Sequence, residues 1–299
     1  MSKSTIAEIQ QAATNIRKSI LKLTIERNGC YLGQACSSAE TLAALYMNIL
    51  NIGESQGSMD ALPFPGVPSA DNMDYPNGAL YHGPKDGDKD RLHVSPAHYA
   101  SVVYCTLAET GRISKEAIDK FNVDGWNLEM IGAEHSPGFE NTAGSLGQTI
   151  SIAAGTAHAR KLKGESGKVY AFLSDGELQE GQVWECLQAA AFYKLDNFVI
   201  YVDKNGNQVE GATKDVMDLE PLVKRVEAFG GIAVDIDGHN INAIIEASKT
   251  PHEGKVLVVI CNTKSYQGIP LLEKRNPKLH FVRPKADEID DFKAFYENM

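Results

Sequence analysis

A doubly wound, mainly parallel α/β sheet flanked by helices is the fold class that this 299-residue sequence predicts. Short apolar runs at 169–173, 198–202, 232–234 and 256–261 have strand length. Between them lie segments with apolar residues at three- and four-residue spacing, so strands alternate with helices at the interval of parallel crossover units. No internal repeat or low-complexity stretch divides the chain, and one domain over residues 1–299 is the economical reading.

The elements follow in order. Ile6, Ile9, Ala13, Ile16, Ile20 and Leu23 give residues 4–27 the stripe of an amphipathic helix, which Gly29 stops. A second helix is expected to start near Ser37 or Ser38, with Glu40 in its first turn, and to run through Leu42, Leu45, Tyr46 and Ile49. Residues 51–92 are rich in Gly, Pro, Asn, Asp and Met without periodicity, a long irregular segment of the kind that is usually functional or an interaction surface. Helical spacing resumes over 97–110 and again over 146–162. The strand 169–173 reads as buried. A helix over 179–193 (Val183 and Leu187 inward, with Ala190 or Ala191), the strand 198–202, a helix over 219–229, a short strand at 232–234, a helix over 241–248 and the strand 256–261 complete the pattern.

Composition limits the function. Hydrophobic residues make up 43% and charged residues 23%, ordinary for a globular protein. The net charge of −10 provides no basic field for nucleic acid or an anionic membrane. Five scattered cysteines without a C-x-x-C spacing argue against a disulfide framework or structural zinc and for a reducing compartment. No apolar leader region opens the chain and the longest apolar run is far too short to span a bilayer. The expected location is cytoplasmic.

Two strand ends carry unusual polar clusters: Ser174-Asp175-Gly176-Glu177-Leu178-Gln179-Glu180-Gly181 after one, and Asp203-Lys204-Asn205-Gly206-Asn207-Gln208 after the next. One crossover unit separates them, so both belong at the carboxyl edge of the sheet, where α/β folds bind ligands. An Asp carboxylate and an Asn amide oxygen are hard donors suited to Mg²⁺, which completes its octahedron with phosphate oxygens and water. Gly176 lets backbone approach a phosphate, and the following helix offers its N-terminus. Alone, each dipeptide is a turn. The arrangement of Asp175-Gly176 followed thirty residues later by Asn205 is what lifts the pair.

That arrangement matches the thiamine diphosphate signature, and the stretch from Asp175 to Gly211 resembles transketolases in particular. The likeness runs from about residue 15 to residue 285. It implies the diphosphate-binding domain of the thiamine diphosphate fold. It further implies Mg²⁺ on Asp175, Asn205 and the carbonyl of Asn207, and a cofactor held by His98, Gly144, Ser145, Leu146, Gly176, Glu177 and Asn205. Ser95-Pro-Ala-His98 resembles the family segment whose histidine lies beside the cofactor. Pro137-Gly-Phe-Glu140 and Gly144-Ser-Leu-Gly-Gln148 resemble runs that pack against it. His98, His135 and His280 are the implied catalytic candidates; His82, His93, His158, His239 and His252 carry no such assignment. The sequence departs from the family at Ser174 and Thr149, each in place of a glycine, and at Cys30, which the simplest register puts where a substrate-contacting histidine stands.

The resemblance also implies what is missing. A whole transketolase adds a pyrimidine-binding and a C-terminal domain, so a second polypeptide is expected to supply them in a two-plus-two assembly. Together the two chains would move a two-carbon ketol unit from a ketose, as a phosphate or modified sugar, to an aldehyde. The alternatives are the α-subunit of a 2-oxo-acid or acetoin dehydrogenase and a non-catalytic assembly protein.

Overall fold

Thr5 and Glu8 start the first helix by exchanging bonds: the Glu8 amide donates to Thr5 Oγ1 at 3.3 Å and the Thr5 amide to Glu8 Oε2 at 2.7 Å. The computed structural model describes residues 3–66, 69–73 and 75–299. Helix α1 (Ile6–Glu26) buries Ile9, Ala13, Ile16, Ile20 and Leu23, while Ile6 at the end of the stripe stays exposed. Asn28 and Gly29 take positive φ and turn the chain.

Helix α2 (Leu32–Ala44) begins five residues before Ser37, so the expected start near Ser37 or Ser38 is too late. Both serines read as caps by residue type, yet every residue of α2 is buried. In a helix enclosed all round, the Ser38 hydroxyl bonds back to the Gln34 carbonyl at 2.6 Å instead of capping, and the Ser37 hydroxyl donates to Asp203 Oδ2 at 2.5 Å. A π-helical turn (Leu45–Ile49) ends the helix.

In its described residues the 51–92 segment is irregular apart from a 3₁₀ turn (Gly78–His82) and its last residues. It lies along the 112–139 region, through bonds such as Phe64 N to Gly125 O at 2.8 Å and Asn127 N to Leu62 O at 3.0 Å. Its end forms strand β1 (Arg91–Val94), which the periodicity does not reveal: only Leu92 and Val94 are apolar, in a run of four. Arg91 and His93 are nevertheless buried, paired with Glu140 and Asn141.

Helix α3 (Ala100–Glu109), entered through a 3₁₀ turn (Ala97–Tyr99), and helix α4 (Thr149–Lys163) follow. Strand β2 (Val169–Ser174), helix α5 (Gly181–Phe192) and strand β3 (Phe198–Lys204) form the expected crossover. A small hairpin of β4 (Asn207–Gln208) and β5 (Gly211–Ala212) precedes helices α6 (Thr213–Val216) and α7 (Leu222–Ala228). Strand β6 (Ile232–Asp237), helix α8 (Ile241–Ala247), strand β7 (Leu257–Asn262) and helix α9 (Ile289–Asn298) complete the chain.

The main sheet has the order β1-β2-β3-β7-β6, and every pairing is parallel. Side chains alternate across it. Tyr170, Phe172, Val199, Tyr201, Leu257 and Val259 face a core shared with α1, α2, α3 and α8. Ala171, Leu173, Ile200, Val202, Val258 and Ile260 face α4, α5 and α7. Helices on both faces make the fold doubly wound, and they leave the carboxyl ends of β2, β3 and β7 as one open polar edge. Among the described residues no helix is long and apolar enough to cross a membrane.

Candidate functional site

Strands β2 and β3 pair with Ser174 opposite Asp203, so the two polar clusters leave the sheet side by side. Asp175 closes the first gap: its amide donates to Asp203 O at 3.1 Å. Its carboxylate accepts from its own turn, Gly176 N at 2.9 Å, and from the neighbouring cluster, Gly206 N at 2.8 Å and Thr213 Oγ1 at 3.2 Å. The Asp175 side chain therefore points at the loop bearing Asn205. Burial, and then the negative charge of Asp203, push the Asp175 carboxyl up to about 7.

Asn205 is buried with its amide fixed at both ends. Nδ2 donates to Asp203 Oδ2 at 2.9 Å and to Tyr99 Oη at 3.1 Å, while Oδ1 accepts from Asn207 N at 2.9 Å. Asn207 Nδ2 donates to Asn205 O at 2.7 Å and Ser265 Oγ at 3.2 Å, and its own Oδ1 is buried without a partner.

Glu177 is fully buried beneath the Asp175 turn. Its Oε1 accepts from Ser95 Oγ and from Gly147 N (2.8 Å), and burial pushes its carboxyl up to about 7. One carboxyl thus joins three runs singled out in the sequence: Ser95–His98, Gly144–Gln148 and Asp175–Gly181. Glu177 braces these runs from below and does not line a cavity.

Two cavities meet at this edge. One, of about 580 Å³, is lined by His98, Gly144, Leu146, Gly176, Asn207 and His280, among others. The second, of about 520 Å³, includes Asp175, Asn205 and Asn207 in its wall. His98 and His280 stack with ring centroids 4.7 Å apart, and Tyr31 packs on both. Gln34 Nε2 donates to His280 Nδ1 at 3.1 Å. Burial, then the charge of His280, lower His98 to about 3; burial lowers His280 as well. For both rings burial disfavours the charged imidazolium form. Ser145 is exposed, its hydroxyl accepting from Gln148 Nε2 at 3.0 Å, and does not line the cleft. Of the two residues that replace family glycines, Ser174 lines the cleft and Thr149 is buried against Asn141.

Other sequence candidates lie elsewhere. His135 is buried beneath the 51–92 segment: Nδ1 meets Tyr75 Oη at 2.6 Å, Nε2 meets Glu129, and Phe64 packs on the ring. It lines neither cavity. Glu140 ties Arg91 and His82 into a buried network, with His82 Nδ1 at 2.7 Å and Tyr46 Oη on the far side of that ring. Cys30 is fully buried, and burial pushes its thiol up to about 11. Its side chain does not reach the cleft, so the expectation that it occupies a substrate-contacting position is corrected: the neighbouring Tyr31 is the residue that faces His98 and His280.

A relay runs behind the site. Arg17 of α1 pairs with Glu40 of α2, and His239 Nδ1 meets Glu40 Oε2 at 3.2 Å. The Lys264 amide donates to His239 Nε2 at 2.8 Å, which leaves Nδ1 to carry the proton that faces Glu40. Burial pushes the Glu40 carboxyl up, while His239 and Arg17 pull it down, and the net shift is down. The relay anchors the loop from which Thr263 and Ser265 reach Asp203 and Asn207.

The donor set suits a small hard cation with a diphosphate: one carboxylate, an amide oxygen with a spare lone pair, and a loop ending in an orphaned amide oxygen. Among the described residues no cluster of three His, Cys, Asp or Glu side chains could hold a metal. Sequence reasoning assigned no role to Asp203, Tyr99, Ser37, Thr263, Tyr31 or Gln34. For Asp203 a signal existed, because an acid that ends the apolar strand run 198–202 is buried only with hydrogen-bond donors gathered around it. The others converge from distant parts of the chain.

Comparison with known proteins agrees with this geometry. Residues 76–297 match the transketolase thiamine diphosphate-binding domain family. A transketolase family protein of Sinorhizobium fredii is 35% identical over 263 residues, covering 86% of this chain and 94% of that protein. One of the apulose-4-phosphate transketolase subunits of Actinobacillus succinogenes is 33% identical over 289 residues, 95% of this chain and 94% of that one. A 6-deoxy-6-sulfo-D-fructose transketolase subunit from a Clostridium species is 30% identical, covering 89% and 88%. In fold, transketolase of Campylobacter jejuni superposes with a TM-score of 0.77 at 23% identity, covering 98% of this chain and 43% of that one.

Proposed function

This chain belongs to the transketolase family, as a thiamine diphosphate-binding domain, and from that premise we propose that it is the diphosphate- and Mg²⁺-binding half of a two-chain transketolase. Residues 1–299 are read as one such domain. A partner polypeptide carrying the pyrimidine-binding part completes the enzyme, in an expected two-plus-two assembly. The relatives named as transketolase subunits, which this chain matches over nearly its whole length, support that division of labour. Five buried, unpaired cysteines suit a reducing cytoplasm.

One observation carries the proposal: the Asp175 carboxylate accepts from the backbone of the loop that presents Asn205, and both residues line the same cavity at the rim. Asp175, Asn205 Oδ1 and the Asn207 carbonyl would hold Mg²⁺, with Gly144, Leu146 and Gly176 around the diphosphate; Ser145, outside the cleft, would reach it only through its backbone. Bound thiamine diphosphate supplies the nucleophilic carbon and the electron sink for cleavage of a ketose C–C bond. This chain's own residues do the rest. His98 and His280, side by side on the cleft wall, would offer ring nitrogens as hydrogen-bond partners to substrate hydroxyls and orient them. His135, which lines neither cavity, would take no direct part. Because two relatives are named for a sugar phosphate and a sulfo sugar, the expected donor is a modified ketose with an anionic end.

Titration calorimetry with thiamine diphosphate, with and without Mg²⁺ and in the presence of the partner, tests the reading. Metal-dependent binding and ketol transfer are expected, and Asp175→Ala should abolish both, because an oxygen ligand is lost beside the diphosphate. Turnover of a 2-oxo acid with lipoamide would instead make it a dehydrogenase component, and no cofactor binding at all would make it an assembly protein.

A further inference from the structure

An amide ligand poses a problem that a carboxylate does not. The two ends of Asn205 are nearly the same shape, yet only the oxygen can coordinate a cation. Something must choose which end faces the ion. On the proposed reading of Asn205 as a Mg²⁺ ligand, we infer that Asp203 is a positioning residue that fixes the Asn205 amide with its oxygen toward the metal.

The neighbours of each amide atom leave no second arrangement. Nδ2 lies 2.9 Å from Asp203 Oδ2 and 3.1 Å from Tyr99 Oη. The Tyr99 hydroxyl already donates its proton to Asp203 Oδ2 at 2.7 Å, so toward Asn205 it can only accept. Oδ1 faces the Asn207 amide hydrogen at 2.9 Å and keeps one lone pair free. A flipped amide would set oxygen against a carboxylate and a phenol oxygen, and NH₂ against an N–H.

Asp203 is itself held rigidly. Ser37 Oγ donates to Oδ2 and Thr263 Oγ1 to Oδ1, each at 2.5 Å. These donors come from the middle of α2 and the end of β7, and Tyr99 comes from the entry to α3. Each of the four side chains bonded to the Asp203 carboxylate is a donor, and none of these bonds reaches a cavity wall except through Asn205, Thr263 and Tyr99. The buried serine of α2, out of place as a cap, finds its purpose here.

The test compares Mn²⁺ affinity, read by electron paramagnetic resonance with thiamine diphosphate and the partner present, in the wild type, Asp203→Leu, Asp203→Leu/Asn205→Asp and Tyr99→Phe. Leucine keeps the shape and removes the acceptor. Asp203→Leu should weaken Mn²⁺ binding about 10-fold or more, the usual cost of losing a residue that orients a ligand. Adding Asn205→Asp should restore it to within about 3-fold, since a carboxylate offers oxygen whichever way it turns. Tyr99→Phe removes one acceptor and no charge, and should cost about 3-fold. Circular dichroism and melting temperature check the fold of each variant.

Wild-type affinity in Asp203→Leu overturns the inference. So does failure of the double variant to recover while folded, which would mark Asp203 as a structural tie only. Unchanged affinity in Tyr99→Phe overturns orientation in favour of charge, and that variant decides the matter should the leucine variants not fold. Absence of metal-dependent binding in the wild type would instead defeat the reading of the site itself.

Discussion

At the scale of single residues, burial holds the Asp175 carboxyl between its acid and its carboxylate forms near neutral pH. Asp175 stands at about 7, above the ordinary 3.8, because burial and Asp203 disfavour the carboxylate. The fold therefore prefers the protonated acid, and the stability this contributes is full below about pH 4 and lost as pH rises toward 7. Mg²⁺ needs the carboxylate, so cation affinity should rise by about tenfold between pH 6 and pH 8, measured by titration at fixed ionic strength. A flat profile would contradict the burial of Asp175. Glu140 behaves oppositely: burial alone would raise it, but His82 and Arg91 hold it down at about 2. Its contribution is present above about pH 4.5 and is lost as pH falls through 2. Glu140→Gln should cost about 3 kcal/mol in urea unfolding at pH 7, since it leaves Arg91 buried and unpaired. Asp175 and Asn205 are legible in the sequence by their types and positions at strand ends, whereas His98 and His280 come only from the family resemblance; the structure puts all four in the walls of the two cavities. The misreadings of Cys30 and of the serines of α2 share one cause: residue type indicates what a side chain can do, whereas burial decides whether it faces ligand or core.

At the scale of elements, the strongly periodic parts of the chain were predictable to within a few residues, and the misses have physical reasons. Strand β1 hid because two of its four residues are charged or polar and are made buriable only by Glu140 and Asn141, some fifty residues away. Helix α2 was placed late because a helix buried on all sides has no polar face to set its phase. Its start at Leu32 matters for the cleft. A Cβ on Gly33 would lie 2.2 Å from the Leu279 carbonyl oxygen, so only glycine lets α2 approach the turn that carries His280. Gly33→Ala should push that turn off Gln34, destabilise the fold by about 2 kcal/mol, and weaken cofactor binding in the same sample. Gly78 plays a similar part for the 51–92 segment, its Cβ position being 1.9 Å from the Ser136 carbonyl oxygen. Gly78→Ala should make that segment the first site of limited proteolysis, and unchanged cleavage would show that the segment is held by other contacts.

At the scale of the whole molecule, a parallel sheet gathers residues that the chain keeps far apart. Ser37, Tyr99, Asp175, Asp203 and Thr263 span most of the sequence, and the carboxyl edge of β2, β3 and β7 is where they meet. Both cavities open at that edge, and the chain alone should bind cofactor weakly and show no ketol transfer until the partner is added, as an activity titration against partner concentration would reveal. The bonds from Arg17 through Glu40 and His239 to Lys264 give the same edge a hidden foundation. Arg17 sits on the opening helix, walled off from both cavities, yet it steadies the far end of a strut whose tip is the 263–265 loop. Damage there would surface not where it was done but as a loosened hold on a ligand that Arg17 never meets.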